Sequence, residues 1–315
     1  MKLQILALLL ALSSCCVFTF NNYLVKEQQL DTVDVVLLRS IIQCVVLFAI
    51  AKAKGNPLWP FRQAKQTPWQ ARKVQIALIT SSITGSIVIF LGYYAVRKIP
   101  LGDAIAIIFS SPIFSILFEW LLVRKTQGIF YKLGFSVVLI GGVVLVIQPP
   151  FLHFQSDVQV EYSISEYLGI SAAFGAAIAG GILNATSWFV TKDVGPIVLS
   201  AYSGLSGFVI ALISGLTFVH SDEIMTSEIV NISAEKWAWL MLVAILSILA
   251  FWSQMASFQW IDASTMGALQ ASEVLLAYLV QVLVMKDEAS VLAIIGKISQ
   301  CRKLTNQKNG FFQDL

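Results

Sequence analysis

The side chains able to do polar chemistry stand inside long apolar runs. Arg39 lies in Leu37-Leu38-Arg39-Ser40, Glu273 in Gln270-Ala271-Ser272-Glu273, and Glu119 just before Trp120-Leu121-Leu122. The amides Asn21, Asn22, Gln43, Asn184, Gln254 and Gln281 share such surroundings. A charge in hydrocarbon costs at least about 2.5–3.5 kcal/mol, so these groups must face a wet cavity or a partner. The planar fork of Arg39 suits a carboxylate or phosphate on a solute. Its alternatives are snorkelling to the interface or pairing with Asp34 about one turn away. Glu273, withdrawn from water, suits the carriage of a proton; otherwise Gln270 or a helix hydroxyl satisfies it. Glu119, beside Arg124 and Lys125, reads as half of a structural ion pair. Asn184 and Gln43 are expected on a cavity wall, or else bonding across helices. The candidate solute-binding set is thus Arg39, Gln43, Asn184, Gln270 and Glu273, with Pro112, Glu119 and Gly207 as structural or gating positions.

Enzyme signatures are missing from the sequence. There is no phosphate-cradling glycine loop with Lys-Ser/Thr, no H-E-x-x-H and no G-x-S-x-G. His153 and His220 are the two histidines and lie far apart. Cys15, Cys16, Cys44 and Cys301 lack metal-site spacing and form no disulfide framework. A metal, a cofactor, a catalytic triad and a nucleic-acid partner are therefore not expected.

These residues are carried by elements long enough to cross a bilayer. Apolar residues make up 57% of the 315 and charged residues 12%, with a mean hydropathy of +0.78; a soluble domain carries roughly twice that charge. Apolar runs fall near 3–24, 33–51, 74–93, 102–123, 131–148, 166–190, 197–219, 237–257 and 264–285. Each matches a ~30 Å hydrocarbon core. The first run is too long for a signal-peptide core and is expected to be retained as a helix. Positive charge gathers in the loop after the second run, at Lys52, Lys54, Arg62, Lys65, Arg72 and Lys73. That bias places the N-terminus in the cytoplasm. The loops 149–165 and 220–236 are acidic and fall outside. Of two glycosylation sequons, Asn184 lies within a span, and Asn231 sits too near the next span to favour modification.

The second half repeats the first. Shifted by 162 residues, 78–134 falls on 240–296 without a gap. Leu78/Leu240, Ile99/Ile261, Ser110/Ser272, Leu117/Leu279 and Gly134/Gly296 coincide, and the hydropathy peaks align. With five spans per half, the copies run in opposite directions through the membrane, the arrangement of secondary transporters. The second copy turns polar after Gly296, so the tenth helix is truncated. Stripes of small residues, Ser203/Gly207/Ala211/Gly215 and Gly175/Ala179, let helix backbones approach and also allow a homodimer.

The stretch Ile99-Pro100-Leu101-Gly102-Asp103-Ala104, leading to Ser110-Ser111-Pro112-Ile113-Phe114, resembles the EamA-type branch of the drug/metabolite transporter superfamily. Within it the chain is similar to the G-type members of the solute carrier 35 family, over about residues 3–296. Arg39, Gly134 and Gly141-Gly142 match further positions. The resemblance implies an all-α integral membrane fold of inverted five-helix repeats, here with nine full transmembrane helices and the tenth truncated. Residues 1–148 form the first repeat, 149–165 an outer loop, 166–296 the second repeat and 297–315 a polar tail. It implies a transporter of small polar metabolites, organic anions among them, working by alternating access in the endoplasmic reticulum, Golgi or plasma membrane. The rival expectation is a truncated, non-transporting isoform or membrane scaffold.

Overall fold

The computed structural model describes residues 2–57, 68–123, 134, 163–217 and 233–284. All regular structure in them is helical: α1 (Lys2–Glu27), α2 (Thr32–Ala53), α3 (Pro68–Lys98), α4 (Leu101–Ile108), α5 (Ser111–Val123), α6 (Ile164–Val194), α7 (Pro196–Thr217), α8 (Ala234–Ser257) and α9 (Ala263–Leu283). Among the described residues seven spans are long and apolar enough to cross a membrane, with Leu101–Leu121 counted as one. The molecule is a multi-pass helical membrane protein. The fifth run at 131–148, most of the loop 149–165, the partial tenth helix and the tail 297–315 lie outside the described residues. So do Asn231, His153, His220 and the cations Arg124 and Lys125 expected beside Glu119.

Local chemistry sets the helix ends. Asp31 caps α2 by accepting the Val33 N–H at 2.8 Å. Ser163 and Glu166 form a reciprocal capping box at the start of α6. Ser233 caps α8, and Asp262 caps α9 by accepting the Thr265 N–H at 3.1 Å. Between α6 and α7 the chain turns at Gly195 with φ +82°, a conformation L side chains avoid. The fourth apolar run, 102–123, is two helices broken at Phe109 and Ser110. Pro112 has no N–H to give and disfavours helical backbone before it, so α5 restarts with proline in its first turn. Helices α3 and α6 outrun their apolar runs by about three turns and one turn, and the added ends carry Gln70, Arg72, Lys73, Lys192 and Asp193.

The pairing of helices is orderly. α3 packs along α6, α1 along α8, and α2 along α7. α5 also lies on α6 and α1 on α9, while α3 touches α7 and α2 touches α8. Close approach depends on missing side chains. A Cβ on Gly181 of α6 would lie 2.7 Å from the Phe114 carbonyl carbon of α5. One on Gly207 of α7 would run into the Ser40 hydroxyl of α2 and reach 3.3 Å from Ser86 Oγ of α3. Ser203, Gly207, Ala211 and Gly215 are all buried, so this stripe joins helices of one chain and is not offered to a second copy.

Candidate functional site

Where the two halves meet, a cavity has about 80 Å³ open to the centres of water-sized molecules. At roughly 10–15 Å³ per water by that measure, it holds several waters. Its wall draws on α1, α3, α4, α5, α6, α8 and α9. The polar groups come mostly from the second half: Asn184, Gln254, Gln270 and Glu273, against Asn22, Tyr93 and Ser111 from the first.

Asn184 is the hub of this wall. Its Nδ2 donates to Gln270 Oε1 at 2.8 Å and to Ser115 Oγ at 3.2 Å. Its Oδ1 accepts from Gln254 Nε2 at 3.4 Å. One amide thereby ties α6 to α5, α8 and α9. Glu273 is 2% exposed, and the Cys15 thiol of α1 donates to the Leu269 carbonyl one turn before it at 3.7 Å. Among the described residues no cation stands within ion-pair distance of Glu273. Interhelical hydrogen bonds in membranes contribute about 0.6 kcal/mol each, up to ~1.7. That is weak enough for a solute's own polar groups to exchange with them.

The remaining expected residues stand apart from the wall. Arg39 is 0% exposed, so it does not snorkel, and it does not pair with Asp34: Nε, Nη1 and Nη2 find no acceptor among the described residues. The guanidinium lies 5.4 Å from the centroid of the Phe251 ring, a cation–π arrangement. Phe251 itself lines the cavity. Gln43, one turn along α2, donates from Nε2 to the Ser200 carbonyl at 2.5 Å, while its Oε1 has no partner among the described residues. Pro112 supports α9, since a Cβ on Gly267 would lie 3.1 Å from Pro112 Cβ. Glu119 is buried at 7% exposure, on α5, away from the cavity. Among the described residues no cluster of three or more metal-ligating side chains occurs.

Tyr93 is a site residue that reading along the chain missed. Its hydroxyl accepts from Asn21 Nδ2 at 2.5 Å and donates to Ser247 Oγ at 3.1 Å, joining α1, α3 and α8. The tandem Tyr93-Tyr94 near the end of an apolar run reads as an interfacial aromatic belt. The signal available was an asparagine, Asn21, that needs a partner once it is withdrawn from water.

The 162-residue offset reappears on the cavity wall. Eight lining residues come from the second half. For six of them the first-half counterpart also lines the cavity: Phe18/Gly180, Asn22/Asn184, Ile89/Phe251, Gly92/Gln254, Ile108/Gln270 and Ser111/Glu273.

The described residues thus form a bundle of apolar helices around an amide-lined cavity. Residues 1–147 match the EamA-like transporter family. The chain is 32% identical to human solute carrier family 35 member G1 over 176 residues, 55% of this chain and 45% of that protein. It is 27% identical to the mouse protein over 56% of this chain and 46% of that one. The chain spans about half the length of these curated relatives. The pseudopaline exporter CntI of Pseudomonas aeruginosa strain UCBPP-PA14 is 24% identical over 246 residues, 76% of this chain and 74% of the exporter. A protein crystal structure superposes with a TM-score of 0.59 at 17% identity, covering 90% of this chain and 89% of its own, and shares the fold.

Proposed function

We propose that the protein is a secondary transporter of small polar metabolites, built as two inverted repeats that expose the central cavity to either side in turn. The observation that carries this reading is the paired cavity wall, in which matched positions of the two halves face one cavity. The helix contacts support it. Exchanging each half's helices for those of the other turns α3 on α6 into α1 on α8, and α5 on α6 into α1 on α9. Pairing α2 with α7 maps onto itself. A pseudo-twofold of this kind lets one sequence pattern close the inner or the outer mouth at similar cost. The relatives named for solute carriage and export favour the same reading.

Asn184, Gln270 and Glu273 bind the solute, with Arg39 and Gln43 standing behind them on α2. Organic anions are the favoured class, and Glu273 carries the coupling proton. The N-terminus lies in the cytoplasm, and nine full helices cross the membrane. Reconstitution tests this. Proteoliposomes holding the full chain should take up polar metabolites against a gradient when a proton gradient is imposed. Glu273→Gln should abolish the gradient-driven component while solute exchange continues. Uptake indifferent to both the chain and the gradient overturns the reading.

A further inference from the structure

A fully buried charge lies one aromatic ring away from the cavity wall. Arg39 is fully buried, and none of its three nitrogens meets an acceptor among the described residues. A buried guanidinium without a counter-charge is costly and marks a site whose partner comes from elsewhere. Its neighbours are also short of partners: the Ser40 and Ser203 hydroxyls and Gln43 Oε1 find none among the described residues. Phe251 touches both Arg39 and the cavity: it offers its ring to the guanidinium at 5.4 Å and lines the cavity wall. The tip of that ring rests where Gly85 has no side chain. A Cβ on Gly85 would lie 3.1 Å from Phe251 Cζ and 3.1 Å from Ser203 Oγ. The device belongs to one half, because the counterparts of Arg39 and Phe251 at the 162-residue offset are Ala201 and Ile89.

We propose that Phe251 is a removable wall and that Arg39 behind it is the anion-binding subsite of the central cavity, taking a carboxylate or phosphate of the solute when the ring swings aside. This rests on the transporter reading for its place in a cycle, but the binding event stands alone. An aromatic ring holds a guanidinium less strongly than a bidentate carboxylate does, so an anionic solute has a net gain to offer. Gly85 and the cavity beside it leave room for the ring to turn. The polar wall at Asn184 and Gln270 then holds the solute's uncharged end.

The test is binding to the full chain in lipid nanodiscs, read as the rise in melting temperature with succinate, inorganic phosphate or neutral succinamide. Succinate should act at concentrations about tenfold lower than succinamide, the discrimination expected of one charge-assisted fork. Arg39→Gln should erase that preference and Arg39→Lys should retain part of it. Phe251→Ala, and Gly85→Ala by displacing the ring, should each strengthen succinate binding several-fold. Phosphate acting in place of succinate assigns the subsite to phosphoryl groups. Equal response to succinate, phosphate and succinamide in the unaltered chain overturns the proposal, even if Arg39→Gln fails to fold. An anion preference that survives Arg39→Gln does the same, and unchanged affinity in Phe251→Ala removes the wall. Flux in proteoliposomes is a separate reading: Arg39-dependent binding without flux keeps this subsite and loses the transporter.

Discussion

Asn184 on α6 and Gln270 on α9 share a hydrogen bond of 2.8 Å across the cavity wall, although 86 residues separate them. Through the same amide, α5 and α8 are tied to the pair. The bond closes the second half of the molecule around its own polar groups and leaves Glu273, one turn from Gln270, facing the cavity.

Replacing Asn184 with alanine removes three bonds at once and strands the Gln270 carbonyl. We expect a loss of about 1–2 kcal/mol in thermal or denaturant unfolding in nanodiscs, set by the modest strength of such bonds in membranes. Asn184→Ser should recover part of the loss. A variant as stable as the unaltered chain would mean that water already competes for the amide.

The contact between α5 and α6 should be intolerant of bulk at Gly181. A Cβ there would stand 2.7 Å from the Phe114 carbonyl carbon and 2.8 Å from the Ser115 nitrogen. These are backbone atoms and cannot step aside alone. Gly181→Ala should cost about 1–3 kcal/mol as an overpacking change, and Gly181→Val more. Alanine at Gly55, where nothing lies within 4 Å, meets no neighbour and strains only its own φ of +66°. Melting temperatures of the two alanine variants, measured side by side, check the difference.

Tyr93→Phe keeps the ring and removes the hydroxyl that joins Asn21 to Ser247. The expected cost is about 1 kcal/mol for each buried group left without its partner. A double-mutant cycle with Ser247→Ala should show a coupling of about 0.5 kcal/mol or more. Additive effects would place the two residues in separate networks.

The Arg97–Asp31 ion pair, 3.2 Å long, is partly solvated, with side-chain exposures of 27% and 21%. Such pairs contribute about 0–1 kcal/mol and weaken with salt. Arg97→Ala should therefore change stability by less than about 1 kcal/mol. Asp31→Ala should cost more, because the same side chain also caps α2. Unfolding of both variants at low and high salt separates the ionic part from the cap.

Much of this molecule could be read along the chain because hydrocarbon imposes one-dimensional rules. A run of about 20 apolar residues must be helical to satisfy its backbone, so α1, α2, α6, α7 and α8 fall where the hydropathy places them. Asn184, Gln270 and Glu273 stood out because a polar group among apolar neighbours needs a partner or a cavity, and the tertiary structure brings all three to one wall. The break between α4 and α5 falls where Pro112 disfavours helical backbone before it, and α5 then packs against α6 and α9. Other features came only with the folded chain. Whether Arg39 met solvent, Asp34 or the cavity turned on Phe251, 212 residues away, and no local pattern encodes that distance. Tyr93 gains its role only when α1 and α8 deliver Asn21 and Ser247 to its hydroxyl. Sequence sets which groups hydrocarbon will not tolerate alone; packing across the two halves decides which of them meet.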